Sequence, residues 1–313
     1  MYYLGIDTSN YTTSVALIDE NKNIIQRKKL LPVKDGELGL RQSDAVFHHT
    51  AQLYSLYTDL IKDINPADIK AVGVSTKPRP IEGSYMPCFS VGANTAKIIS
   101  ATLNIPLYEF SHQEGHIAAA IYSSKAIKLF NEKFIAFHVS GGTTEAVLAN
   151  PFKGGFNLDI IAETLDLNAG QAIDRVGLML GFKFPCGKEL EKSALSYKGE
   201  LKVKKPTLKD ENCCLSGIEN ICKKLYENNS SKEYISAYCL KYIENTLSEM
   251  TDKLLKKYGN LPLLYAGGVM SNSIIRSSFE KKYGAYFAEP EFSADNAAGI
   301  AYLAYRKDNN DKP

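Results

Sequence analysis

Apolar and polar positions fall into two rounds of the same order, strands first and helices after. Apolar runs at Tyr2 to Asp7, Ser14 to Asp19 and Ile24 to Leu31 predict three strands, with Thr8-Ser9-Asn10 and Glu20-Asn21 as turns between them. Val46, Leu53, Tyr57, Leu60 and Ile61 then recur at helical spacing. A short apolar strand, Ala71 to Ser75, leads into a loop broken by Pro and Gly, Lys77 to Pro87. A helix from about Val91 to Leu103 and a strand from Pro106 to Phe110 follow.

The pattern then restarts. Phe134 to Val139 reads as a strand ending in Ser140-Gly141-Gly142-Thr143-Thr144, Glu145 to Ala149 as its hairpin partner, and Leu158 to Glu163 as a third strand. YLGIDTSNYTTSVALID and FIAFHVSGGTTEAVLAN are both an apolar strand, a small-residue turn ending Thr-Thr, and a second apolar strand. We read this as an internal repeat. Two α/β lobes are expected, 1–107 joined by a final helix over 295–308, and 108–294. A further apolar strand at Leu263 to Ala266 runs through Gly267-Gly268 towards a helix, and the last helix is expected to begin near Asp295.

Composition constrains this picture only a little. A chain of 313 residues, 44% hydrophobic and 23% charged, has the core of an ordinary globular protein. Its net charge of +2 means that any polyanion must be bound by a local patch. Lys198, Lys202, Lys204, Lys205 and Lys209, and Lys77 with Arg79, are the candidate patches. The opening MYYLGIDTS lacks the basic and apolar regions of a signal peptide, and no apolar run approaches the roughly 20 residues of a membrane span. A cytoplasmic protein is expected. The 6 cysteines have no zinc-ribbon spacing and read as packing thiols, and the tail RKDNNDKP has no apolar anchor.

Three turns at strand ends carry the candidate chemistry. Around Ser9 and around Gly141, small residues allow backbone N–H groups to approach a phosphate, and Gly267-Gly268 leads towards a helix N-terminus. Together they point to a nucleotide in a cleft between the lobes. In SHQEGH, Ser111 is an N-cap directly after a strand, so His112 and His116 fall at i and i+4 on one helix face. Two imidazoles so placed can share one cation, and Asp295 is the candidate third ligand, although alone it would be read as a helix cap. His48 and His49 are adjacent, so their side chains diverge; they read as structural or surface residues.

These residues carry a family resemblance. The chain resembles the TsaD family of tRNA threonylcarbamoyladenosine synthases over nearly its whole length, with the motifs in the same order. They are LGIDTS from Leu4, HQEGH from His112, VSGGTTE from Val139 and ETLDLNAGQAIDRVGLMLG from Glu163, the last similar to the family's long signature helix. LSGIEN from Leu215, AGGVMSN from Ala266 and DNAAGIA from Asp295 complete the set. The resemblance implies an actin-like ATPase (ASKHA) fold of two duplicated RNase H-like lobes with a central cleft. It implies that His112, His116 and Asp295 hold one divalent metal ion, iron or zinc, and that His138, Val139, Ser140, Gly141, Gly142, Asp174, Gly187 and Asn272 contact the substrate. The ligand would be an adenine nucleotide: threonylcarbamoyl-AMP, AMP or ATP. The implied reaction moves the threonylcarbamoyl group from its adenylate to N6 of the adenine beside the anticodon of tRNA. Implied partners are tRNA, TsaB-like and TsaE-like proteins, and a homo- or heterodimer, with no membrane.

The chain also departs from the family. An acidic pair usually follows the first strand, yet residues 10–13 read Asn10-Tyr11-Thr12-Thr13, so no acid–base role carries over to them. Asp7 is the carboxylate left at that strand end, either a substitute or a turn former. Lys77 to Pro87 is longer and more basic than the family's Gly-Pro-Gly-Leu loop, Thr143 follows Ser-Gly-Gly, and Cys186 stands where a glycine is usual. Two alternatives therefore stand beside the transferase: a non-catalytic or regulatory paralog that keeps nucleotide and metal, and a small-molecule carbamoyltransferase or kinase of the same fold. A peptidase is disfavoured, because there is no HExxH and no cysteine or serine beside a plausible base.

Overall fold

Two five-stranded sheets repeat a single strand order in the computed structural model of the chain. It describes residues 1–9, 11–32, 40–295 and 297–309; Asn10 of the first turn, Asn296 and the end of the tail, 310–313, lie outside the described residues. In chain order the elements are β1 (Tyr2–Thr8), β2 (Thr12–Asp19), β3 (Ile24–Leu30), α1 (Gln42–Ile61), β4 (Ile69–Lys77), α2 (Phe89–Leu103), β5 (Leu107–Ser111) and α3 (His112–Ser123). Then come β6 (Phe134–Val139), β7 (Thr144–Phe152), β8 (Gly155–Glu163), α4 (Ala169–Met179), α5 (Gly187–Ser196), β9 (Thr207–Lys209), β10 (Asn212–Cys214), α6 (Ser216–Glu227) and α7 (Lys232–Tyr258). β11 (Leu263–Ala266), α8 (Ser273–Tyr283), β12 (Tyr286–Phe287) and α9 (Ala298–Asp308) complete the set.

The first sheet has the order β3-β2-β1-β4-β5 and the second, read in the same sense, β8-β7-β6-β11-β12. The first strand of each round pairs antiparallel with its hairpin partner and parallel with the fourth strand, and the fifth strand lies parallel to the fourth. The repeat read from two similar hairpins is thus a repeat of whole sheets.

The chain divides into two compact units. The first comprises Met1–Glu132, Asn150–Leu158 and Glu291–Pro313, the second Lys133–Ala149 and Asp159–Pro290. The expected boundary at 107/108 therefore moves: α3 belongs with the first unit, because its main packing partner is α9. That packing is close. A Cβ on Gly5 would lie 2.5 Å from the Ala297 carbonyl oxygen, and one on Gly73 2.8 Å from that of Ile300, so β1 and β4 accept α9 only without side chains there. In the second unit Ile135, Phe137 and Val139 of β6 join α4, α6 and α7 in one buried cluster.

Three boundaries differ from expectation. The last helix starts at Ala298 with Ala297 at its cap, so Asp295 precedes the helix and does not cap it. Arg306 to Asp308 form its last turn and are no loose tail; Arg306 is buried, with its guanidinium 4.1 Å from the Phe130 ring. Only Ala169–Met179 of the 163–181 signature is helical. The Asp166 carboxylate ahead of it accepts the backbone N–H groups of Leu215 and Ser216. Among the described residues, no helix is long and apolar enough to cross a membrane.

Candidate metal centre and nucleotide cavity

Ser111 ends β5 and caps α3 in the same step. Its hydroxyl accepts the Glu114 N–H while the Glu114 side chain accepts the Ser111 N–H, a complete capping box. This fixes the first turn of α3, so His112 and His116 project from one face with ring centroids 4.3 Å apart. The residues ahead of α9 bring Asp295 to them: its Oδ1 is 3.4 Å from His112 Nε2 and 3.3 Å from His116 Nε2. Ligands held at about 2.0–2.2 Å around one tetrahedral ion stand about 3.3–3.6 Å apart. The three donor atoms lie within 4.8 Å of one another, so two imidazole nitrogens and a carboxylate oxygen fit one divalent ion. The side chains are partly exposed, at 18%, 15% and 27%, which leaves the group open to a further ligand.

Behind this trio lies Asp7, at the end of β1. It is fully buried, and its Oδ1 accepts His112 Nδ1–H at 3.1 Å and the Ser75 hydroxyl from β4. Burial penalises its ionised form, but His112 and the two hydrogen bonds outweigh burial and hold the carboxyl below its ordinary range. Burial likewise opposes a charged His112, yet Asp7 and Asp295 raise its pKa to about 10. For Asp295 too, burial is outweighed by the imidazoles, and its carboxyl is held well below the usual range. Without a metal the group is a proton trap of carboxylates around an imidazolium. Asp7 is too deep to replace the missing acidic pair in contact with a substrate. Of that stretch, Tyr11 is exposed and Thr12 and Thr13 are buried, with the Thr13 hydroxyl bonded to His49 Nδ1 at 2.8 Å. His49 is a buried structural residue, its other nitrogen 2.8 Å from the Ser9 carbonyl oxygen.

The second unit holds a cavity of about 670 Å³. Gly141, Asp174, Gly187 and Asn272 line it, while His138, Val139, Ser140 and Gly142 are not among its lining residues. Val139 points into the core with no exposed surface, so only its backbone could meet a ligand. After β6 the chain turns on the Ser140 hydroxyl, which accepts the N–H groups of Gly142 and Thr143. A Cβ on Gly170 would lie 2.6 Å from the Gly141 nitrogen, so the turn rests directly on the start of α4. Asp174 Oδ1 accepts the Cys186 N–H at 2.8 Å, which joins α4 to the entry of α5.

The third expected anion turn is built differently. A 3₁₀ turn, Gly268–Ser271, intervenes before α8, and the Asn272 side chain accepts the N–H groups of Ile274 and Ile275. Those donors are therefore spent on the cap. Sequence reasoning missed Lys188 and Glu191, which also line the cavity from α5. Helical spacing from Gly187 places Glu191 one turn further along the same face, so the signal was present.

Residues 29–302 match the family described as TsaD, tRNA N6-adenosine threonylcarbamoyltransferase. Proteins of that name from Sulfurihydrogenibium sp. (strain YO3AOP1) and Bacillus subtilis (strain 168) are 30% and 28% identical to the chain. The first match covers 98% of this chain and 90% of the relative, the second 96% and 89%. Among solved structures, full-length HypF superimposes with a TM-score of 0.60 at 15% identity, over 98% of this chain and 55% of HypF. Component A of the Acidaminococcus fermentans (R)-2-hydroxyglutaryl-CoA dehydratase does so with a TM-score of 0.56 at 16% identity, over 98% of both chains. These structural likenesses establish an actin-like ATPase type of α/β fold. With a family match over most of its length, the chain belongs to the TsaD family of tRNA N6-adenosine threonylcarbamoyltransferases.

Proposed function

We propose that this transferase works with a divalent ion held by His112, His116 and Asp295 and an adenylate held in the cavity around Gly141, Asp174, Gly187 and Asn272. The activity follows from the family: a threonylcarbamoyl group is transferred to N6 of an adenine in tRNA, giving t6A. The observation that carries the metal assignment is the pair of distances, 3.4 and 3.3 Å, from Asp295 Oδ1 to two imidazole nitrogens on one helix face. A divalent ion there, iron or zinc, supplies Lewis acidity and a hold on anionic oxygens.

The donor, threonylcarbamoyl-AMP, is an activated mixed anhydride with AMP as its leaving group. The chain therefore needs to supply orientation and charge complementarity more than a nucleophile. Gly141 and Gly187 leave open space where a Cβ would stand, so a nucleotide can approach the backbone at both. Asp174 and Glu191 offer acceptors for ribose hydroxyls, and Lys188 brings a positive charge for the phosphate. Asn272 fixes the cavity wall by capping α8. The partners on this reading are tRNA and the TsaB-like and TsaE-like proteins of the same pathway, in a cytoplasmic setting.

Reconstitution with those partners, unmodified tRNA, threonine, bicarbonate and ATP, followed by nucleoside analysis, tests the whole reading. Modified adenosine should appear with the wild-type chain and be lost with His112→Ala. If a standard homologue makes the product in parallel and this chain does not, the catalytic reading fails.

A further inference from the structure

The Asp7 carboxylate lies where no substrate can touch it, yet one of its oxygens faces a proposed metal ligand. Asp7 has no exposed surface; Oδ1 accepts His112 Nδ1–H at 3.1 Å and the Ser75 hydroxyl, and Oδ2 is buried with no hydrogen-bond partner among the described residues. On the far side of the same ring, His112 Nε2 stands 3.4 Å from Asp295 Oδ1. A neutral imidazole carries a proton on only one nitrogen, and the other nitrogen is the metal donor.

We infer that Asp7 is the positioning residue of the metal centre: it accepts the Nδ1–H hydrogen bond of His112, which keeps the proton on Nδ1 and so commits that imidazole to bind a cation through Nε2. The inference rests on the metal reading above and deepens it. Asp7 is well placed for this, since it sits in β1 and its neighbour Ser75 in β4, paired strands at the middle of the first sheet, so the acceptor cannot swing away. Among the described residues the carboxylate bonds only the ring and the serine, both through Oδ1. A carboxylate behind a ligating histidine also raises the basicity of the ligand. A purely structural Asp7, tying β1 to β4 through Ser75, would be equally buried but would have no bearing on which nitrogen binds metal.

Zinc is the probe, and the full chain the sample. In ¹⁵N-histidine spectra of the zinc-loaded wild-type protein, assigned with a His112→Ala sample, His112 should be coordinated through Nε2 with Nδ1 still protonated. Zinc affinity, measured against a chromophoric chelator, should fall about 10- to 100-fold in Asp7→Asn. It should change far less in Ser75→Ala, which loses only the other bond to the same oxygen. Coordination through Nδ1, or wild-type zinc affinity in Asp7→Asn, overturns the assignment. Should Asp7→Asn not fold, the wild-type spectrum decides alone. A wild-type protein that takes up no zinc would refute the metal reading itself and carry this inference with it, an outcome distinct from zinc bound through the wrong nitrogen.

Discussion

Gly299 lies against Gly115 so closely that a Cβ on Gly299 would stand 1.9 Å from the Gly115 carbonyl oxygen. Gly115 separates Glu114 of the capping box from His116, and Gly299 lies just after the segment that carries Asp295. The contact between α3 and α9 therefore sets the spacing of the proposed metal donors. We predict that Gly299→Ala destabilises the fold by about 1–3 kcal/mol, the usual cost of overpacking, and weakens zinc binding as well. Urea denaturation with parallel chelator competition checks both. Unchanged zinc affinity would show that the donors tolerate a shift of the helix.

Removing one ligand should abolish the centre. In His116→Ala or Asp295→Ala, stoichiometric zinc should be lost in elemental analysis, and t6A synthesis with it, while AMP binding in the second unit is retained. Loss of activity with full metal content would separate these residues from metal binding.

Protonation should oppose the metal. In the metal-free protein His112 keeps its proton up to about pH 10, above the ordinary imidazole value of 6.5. Binding through Nε2 displaces that proton, so zinc affinity should rise with pH by up to about tenfold per unit until pH 10. Calorimetry in buffers of different ionisation enthalpy should register the released proton.

Stability of the metal-free protein carries the same signature. The folded pKa of His112 lies above its unfolded value, so its contribution is complete below about pH 6.5 and is lost as pH rises to about 10. Asp7 and Asp295 are shifted down, so theirs is present above the ordinary carboxylate value of 3.8 and is lost on acidification below it. Melting temperatures of chelator-treated protein should therefore decline on the alkaline side, and more steeply than in His112→Ala.

On the nucleotide side, Asp174→Ala should weaken AMP binding at least about tenfold, by removing an acceptor from the cavity and the hydrogen bond to the Cys186 N–H. Zinc uptake should be untouched. Equal loss of both ligands would mean that the substitution disturbs the fold and not the cavity.

For tRNA, replacing Lys198, Lys202 and Lys205 with Gln should reduce the salt dependence of binding. The slope of log K against log salt should fall by about 0.7–0.9 for each phosphate that is no longer neutralised. Lys202 is largely solvent-facing, with Glu200 as its ion-pair partner among the described residues, so it is available to a phosphate. An unchanged slope would assign this segment to bare solvent.

Local rules made much of the molecule legible from the chain alone. Apolar blocks located β1, β6 and their hairpin partners, and Ser111 announced the start of α3, because strand alternation and capping depend on neighbours in sequence. The i, i+4 spacing of His112 and His116 needed nothing further. Asp295 was the candidate third ligand from its place near the expected start of the last helix, although that helix in fact begins at Ala298. Tertiary structure alone decided that α3 belongs to the first unit, that Asp295 turns to the histidines ahead of α9, and that Asp7 stands behind His112. Those facts depend on how closely glycine-bearing elements far apart in sequence can approach, and on what burial does to a carboxylate, neither of which a local pattern of residues contains.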